Sequence, residues 1–169
     1  MTFALYDFVD LYRRQLDTLE HLANKVAATA AERGISESDV LGWRLAEDMH
    51  PLSFQFAVAT SFAQGWPARV AGQTPPESIS AELDLAGYRA AIASARERLA
   101  ALTPEQFAGR DDAPITFKIG DFMEPTLPAA RWLANFATTN LYFHVSIAYA
   151  ILRAHGVDLG KRDMFTSGL

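Results

Sequence analysis

An all-α protein, a four-helix bundle occupying residues 1–169 as a single domain, is the fold this sequence predicts, and three observations carry the prediction. Four long segments repeat apolar residues every three or four positions, which places them on one side of a helix at about 100° per residue. Half of the 169 residues are hydrophobic and 21% are charged, enough to build one core without the composition of a disordered chain. No repeat, low-complexity tract or linker divides the chain. Four amphipathic helices in a chain of this length can hide their apolar stripes only against one another.

The first helix carries Leu5, Phe8, Val9, Tyr12, Leu16, Leu19, Leu22, Val26 and Ala30 on one stripe, with Thr2 as its expected cap and Gly34 as its stop. Ser36 to Asp39 reads as one short helical turn. Pro51 suits the first turn of the second helix, where a missing N–H costs nothing. Leu52, Phe56, Ala59, Ala63, Trp66 and Val70 form its stripe, Pro67 loosens its last turn and Gly72 closes it. The third helix is expected from Ser80 to Leu102, with Leu83, Ala86, Ala90, Ala93, Glu97 and Ala101 along one face and Leu85, Ile92 and Leu99 nearby. Thr103-Pro104-Glu105 opens a short turn ending near Phe107. Ile115 to Ile119 alternates apolar and polar residues before Gly120-Asp121, which predicts a small hairpin or irregular insertion between the third and fourth helices. The fourth helix runs from Pro128 to Ala154 and stops at Gly156, followed by a tail from Val157 to Leu169.

Composition excludes several functions. A net charge of −5 and the lack of any basic run argue against nucleic acid as a partner. No cysteine is present, which removes disulfides, thiolate metal sites and cysteine nucleophiles and fits a reducing compartment. Asp7 and Asp10 interrupt the apolar start, so a signal peptide is not expected, and no apolar stretch reaches the roughly 20 residues that span a bilayer. The expected location is the cytoplasm, away from membranes. No HExxH, GxSxG, Walker-type or GxGxxG motif occurs.

Asn140 and His144 are the informative pair. Their spacing stacks them on one helical face, together with Leu133, Phe136, Ala137, Ile147 and Ile151. Polar groups on an apolar stripe need hydrogen-bond partners. A structural network between helices would satisfy them, and so would a metal or small ligand held in the bundle. His50, before Pro51, reads either as the cap of the second helix or as a site residue that meets His144 where the two helices pack. His21 falls on the solvent side of the first helix. His155 lies about 16 Å along the fourth helix from His144 and suits a C-terminal cation. Trp43, Trp66 and Trp132 read as core or interface aromatics.

Three segments carry a family resemblance: Arg44 to Leu52, with His50-Pro51 near its end; Asn140 to Val145 with Ala148 to Arg153; and Gly156 to Asp163. They resemble the domain-of-unknown-function family nineteen-ninety-three, over nearly the whole chain. That family is similar in fold to the DinB/YfiT-like superfamily of four-helix bundles, which are often dimers and are described as metal-dependent enzymes. The resemblance implies a metal site with one histidine near the start of the second helix, at His50, and a histidine pair on the fourth. The second of that pair is His144; the first position holds Asn140, a poorer ligand than imidazole for zinc or nickel.

Three functions therefore stand as expectations. One is a metal-dependent hydrolase or transferase using His50 and His144. Another is a metal-free pocket for a small molecule, lined by His50, Asn140 and His144 and fed by Phe54, Phe56, Trp66, Phe136 and Phe143. The third is a structural or interaction role as a homodimer.

Overall fold

The computed structural model describes residues 4–168. Helix α1 (Asp7–Arg33) is followed by the short α2 (Glu37–Leu41), then α3 (Leu52–Val70) and α4 (Leu85–Ala100). A 3-10 turn at Pro104–Gln106 leads into two short strands, β1 (Pro114–Thr116) and β2 (Thr126–Pro128). The last long helix is continuous through α5 (Ala129–Arg131), a π-helical stretch (Trp132–Ala137) and α6 (Thr138–Ala154). Around the bundle the order is α1, α4, α3, α6, with α6 closing back onto α1. The expected all-α four-helix bundle is present.

Helix α1 buries the stripe read from its spacing, with Tyr12, Leu16, Leu19, Leu22 and Val26 fully enclosed. Gly34 ends it at φ 64°, where a side chain would be strained, and the N–H groups of Gly34 and Ile35 both close on the Ala30 carbonyl. The expected cap, Thr2, lies outside the described residues; within them, Asp7 accepts from the Ala4 N–H at 2.7 Å. In α2, Ser36 and Asp39 form a reciprocal capping box.

Helix α3 starts one residue later than expected, with Pro51 as the preceding cap residue rather than the first helical one. Its predicted stripe is buried, but so are Gln55, Ala57, Thr60, Gln64 and Gly65. The reason is position: α3 packs against α1, α4 and α6, so little of its circumference meets water. At its end Gly72 has φ 78°, and a Cβ there would stand 3.0 Å from the Arg110 guanidinium, which itself donates to the Val70 carbonyl. Arg110 thus supplies a cation to the C-terminal end of α3.

Helix α4 corrects two expectations. It begins at Leu85, not Ser80, because Asp84 is the cap and accepts from the Gly87 N–H at 2.7 Å. Its buried face is Leu85, Tyr88, Ile92, Ala95 and Leu99, while Ala86, Ala90, Ala93, Glu97 and Ala101 face solvent. Large side chains decide the orientation, since burying alanine gains little beside burying Tyr, Ile or Leu at roughly 1.5–3 kcal/mol each.

The insertion is a hairpin, with Pro114, Ile115 and Thr116 opposite Pro128, Leu127 and Thr126, and a further bridge between Ile119 and Met123. The paired strands are shorter than the alternation implied and set wider around Gly120. Trp132 Nε1 donates to the Ile115 carbonyl at 2.8 Å and fastens the hairpin to the helix that follows. After Gly156 the tail returns across α1, burying Val157 and Leu159. Lys25 donates to the Asp158 carbonyl at 2.9 Å and His21 meets Asp163 at 2.6 Å, so His21 is a half-buried tail anchor rather than a free surface residue. No helix among the described residues is long and apolar enough to cross a membrane.

Candidate functional site

The π-helical stretch decides what the last helix presents. Its wider turn keeps Leu133, Ala137, Leu141 and Val145 in the core at four-residue steps, followed by Ala148 and Leu152. The core stripe therefore drifts from the one expected for a regular helix. Asn140 and His144 come to lie half-buried at its edge, not in its middle. The backbone carbonyls disturbed by the widening are met by side chains. Thr138 donates its hydroxyl to the Leu133 carbonyl at 2.8 Å, with the Tyr12 hydroxyl 3.0 Å from Thr138 Oγ1. Burial pushes the Tyr12 phenol up, so it stays a protonated donor. Asn140 Nδ2 donates to the Phe136 carbonyl at 2.7 Å.

Asn140 is thus engaged with its own helix, and no hydrogen bond joins it to His144 among the described residues. The partner of His144 is Gln55, on α3: His144 Nδ1 and Gln55 Oε1 are 2.8 Å apart. Gln55 is buried, and its Nε2 donates to the carbonyls of His50 and Pro51 at 3.2 and 3.4 Å. Those two acceptors set the amide orientation, leaving Oε1 to accept. Nδ1 of His144 must then carry the proton, and Nε2 holds an open lone pair. No described residue hydrogen-bonds that nitrogen. Burial first, and the neighbouring His50 second, push the His144 pKa down to about 4, so the ring is neutral at ordinary pH.

Rings surround His144. Phe143 is 5.1 Å away centroid to centroid, Phe54 6.0 Å and Phe62 6.5 Å. His50 is exposed and stacks flat on Phe54 at 3.8 Å. It is not a side-chain cap: no side chain caps α3, and the part of His50 held at the helix start is its carbonyl. The fold thus brings His50 into the neighbourhood of His144 through Phe54. His155 sits elsewhere, stacked on Trp43 at 4.3 Å at the C-terminal end of α6. Trp66 and Trp132 are core residues, as expected.

Sequence reasoning missed Gln55. The signal was a polar residue between Leu52 and Phe56 in a helix whose other neighbours are nearly all apolar, four positions after the His50-Pro51 pair. Elsewhere in the core, buried Gln15 Oε1 and Thr60 Oγ1 have no hydrogen-bond partner among the described residues, while Asp17 Oδ1 is met by Arg96 at 2.8 Å.

The donor set falls short of a resident metal. Among the described residues no group of three His, Cys, Asp or Glu side chains comes together. Two imidazoles are near one another, and the third position expected for the site holds an amide committed to the Phe136 carbonyl. Zinc and nickel sites ordinarily take three or more such ligands, so the residues present do not fit a tightly held ion. A groove of about 410 Å³ lies away from His144, lined by Glu37, Ser38, Leu41, Ser53, Glu82 and Leu83 among others. It offers no imidazole, and its Asp84 is spent on capping α4. We therefore take the His144 cluster, not the groove, as the candidate site.

The chain resembles known proteins in sequence and in fold. The family described as Domain of unknown function (DUF1993) matches residues 5–165. A crystal structure of a DinB family member protein from Shewanella denitrificans superposes with a TM-score of 0.84 at 31% identity, covering 95% of this chain and 90% of that one. No curated protein matches.

Proposed function

The chain belongs to the DUF1993 family, and from that premise we propose that it is a DinB-like bundle that binds a small molecule at the open Nε2 edge of His144. The observation that supports this reading is the Gln55 bridge. A buried amide tied to two carbonyls holds one imidazole nitrogen, and no described residue hydrogen-bonds the other, which lies among phenylalanine rings. His144 is half-buried and its Nε2 is not among the buried polar atoms that lack a partner, so the nitrogen is within reach of a molecule from outside. An apolar shell with one or two convergent polar groups is the usual make-up of a small-ligand site. His144 is the binding group, Gln55 positions it, and Phe54, Phe62 and Phe143 form the wall.

A second reading is a weakly held, exchangeable metal between His144 and His50, favoured by the placing of His50 on Phe54, whose ring also meets His144. Elemental analysis of untagged protein grown with transition metals separates the two, with wild type beside His144→Ala and His50→Ala. The pocket reading expects no stoichiometric metal in any of the three. It also expects native mass spectrometry to show small organic adducts on wild type that His144→Ala loses. Near-stoichiometric metal lost in both variants would replace the first reading by the second.

A further inference from the structure

The donor and acceptor pattern around His144 restricts the chemistry of what binds there. Gln55 turns Oε1, an acceptor only, toward His144, because Nε2 of the same amide is spent on the His50 and Pro51 carbonyls. The Nδ1 proton of His144 is therefore fixed toward α3. With that proton in place, Nε2 of the neutral ring has one capability, to accept a hydrogen bond. A matching ligand must bring an O–H or N–H donor.

Charge narrows the class further. Among the described residues no lysine, arginine, aspartate or glutamate side chain hydrogen-bonds or ion-pairs with His144, whose neighbours are the Gln55 amide and aromatic rings. A carboxylate ligand would set its own lone pairs against the Nε2 lone pair and would lose hydration against the phenylalanine rings. A cationic ligand would find aromatic faces but no carboxylate, and it too would lose hydration without an ionic partner. The rings of Phe54, Phe62 and Phe143, 5.1 to 6.5 Å from the imidazole, suit an apolar or aromatic body.

Resting on the reading that His144 binds a small molecule, we propose that its ligands are neutral hydrogen-bond donors on an apolar body, of the phenol and alcohol class, in preference to carboxylates or ammonium ions. Specificity comes from the open Nε2 acceptor, which Gln55 keeps free of the proton. A site that must receive a hydrogen bond discriminates strongly against isosteres that cannot give one.

The full chain labelled with ¹⁵N is titrated with phenol, benzoate and benzyltrimethylammonium at pH 8.5, where ordinary imidazole carries no charge. Long-range proton–nitrogen correlations report the two ring nitrogens of His144, assigned by their loss in His144→Gln. The expected free state is the Nδ1-protonated tautomer. Phenol should move the Nε2 resonance saturably, while benzoate and benzyltrimethylammonium should bind at least about tenfold more weakly, the equivalent of losing one hydrogen bond. Benzoate or the ammonium probe binding as tightly as phenol would overturn the ligand class and leave the pocket standing. An Nε2-protonated free state would also overturn it. No response to any probe would remove the pocket reading, and this inference with it.

Discussion

A single amide governs the chemistry of the His144 imidazole. Replacing Gln55 by Glu puts a carboxylate 2.8 Å from Nδ1 in a half-buried setting. It should raise the His144 pKa from about 4 by one or more units, as measured by NMR titration. The same depressed pKa links His144 to stability. The ring takes up its proton near 6.5 when unfolded and near 4 when folded, so the unfolded chain holds more protons between those values. Stability from the neutral ring is therefore full above about pH 6.5 and is lost as pH falls toward about 4. The melting-temperature advantage of wild type over His144→Gln should be largest near neutrality and shrink across that window. An advantage that grows on acidification would show that the ring is not buried as described. His144 was legible in the sequence because a histidine on an apolar helix demands a partner. The identity of that partner was not, since nothing local links position 55 to position 144; only the packing of α3 on α6 does so.

At the scale of the element, Asn140 shows how a local irregularity overrides a wheel drawn with a regular period. On an ideal helix it shares the His144 face and invites comparison with a ligand pair. The π-helical stretch turns it to another task, closing on the Phe136 carbonyl, while Thr138 closes on Leu133. No residue in Trp132–Ala137 is a proline or glycine, so the usual sequence marks of a distorted helix are missing. The stripe of α4 departs from its spacing for a different reason: alanines recur on the exposed face with the same period as Tyr88 and Ile92 on the buried one, but carry far less apolar surface. The insertion was readable as a hairpin from its alternation, but its fastening to the last helix was not, because Trp132 reaches the Ile115 carbonyl across 17 residues. If the side chains hold the π-helical stretch in place, Thr138→Val and Asn140→Leu should each cost about 1–2 kcal/mol in denaturant unfolding. Their hydrogen-exchange effects should concentrate between Trp132 and His144. Uniform loss of protection over the whole bundle would instead make them ordinary core defects.

For the whole molecule, bundle and tail were unequally legible. The four long helices follow from periodicity, because each apolar stripe must find another. The tail carries no comparable period, and its docking depends on partners spread along α1. Two kinds of contact hold it there. Val157 and Leu159 are 5% and 3% exposed, so they extend the core itself. The polar clasp is His21 against Asp163, whose carboxyl is held below the usual range first by the Gly160 N–H and then by His21. Arg14 and Asp17 add contacts to residues 167 and 168. The clasp is open to solvent at both partners, 31% and 22% exposed, so screening limits it to below about 1 kcal/mol. Removing the buried leucine side chain leaves a cavity worth about 2–5 kcal/mol. Leu159→Ala should therefore destabilise the fold clearly more than Asp163→Ala. The two substitutions lie four residues apart on a segment without long helix, so a double variant tests whether the tail docks as one unit. Additive losses would mean that each contact holds its own stretch. A double variant no worse than Leu159→Ala alone would mean that apolar docking comes first and the His21–Asp163 pair forms only on a tail already seated.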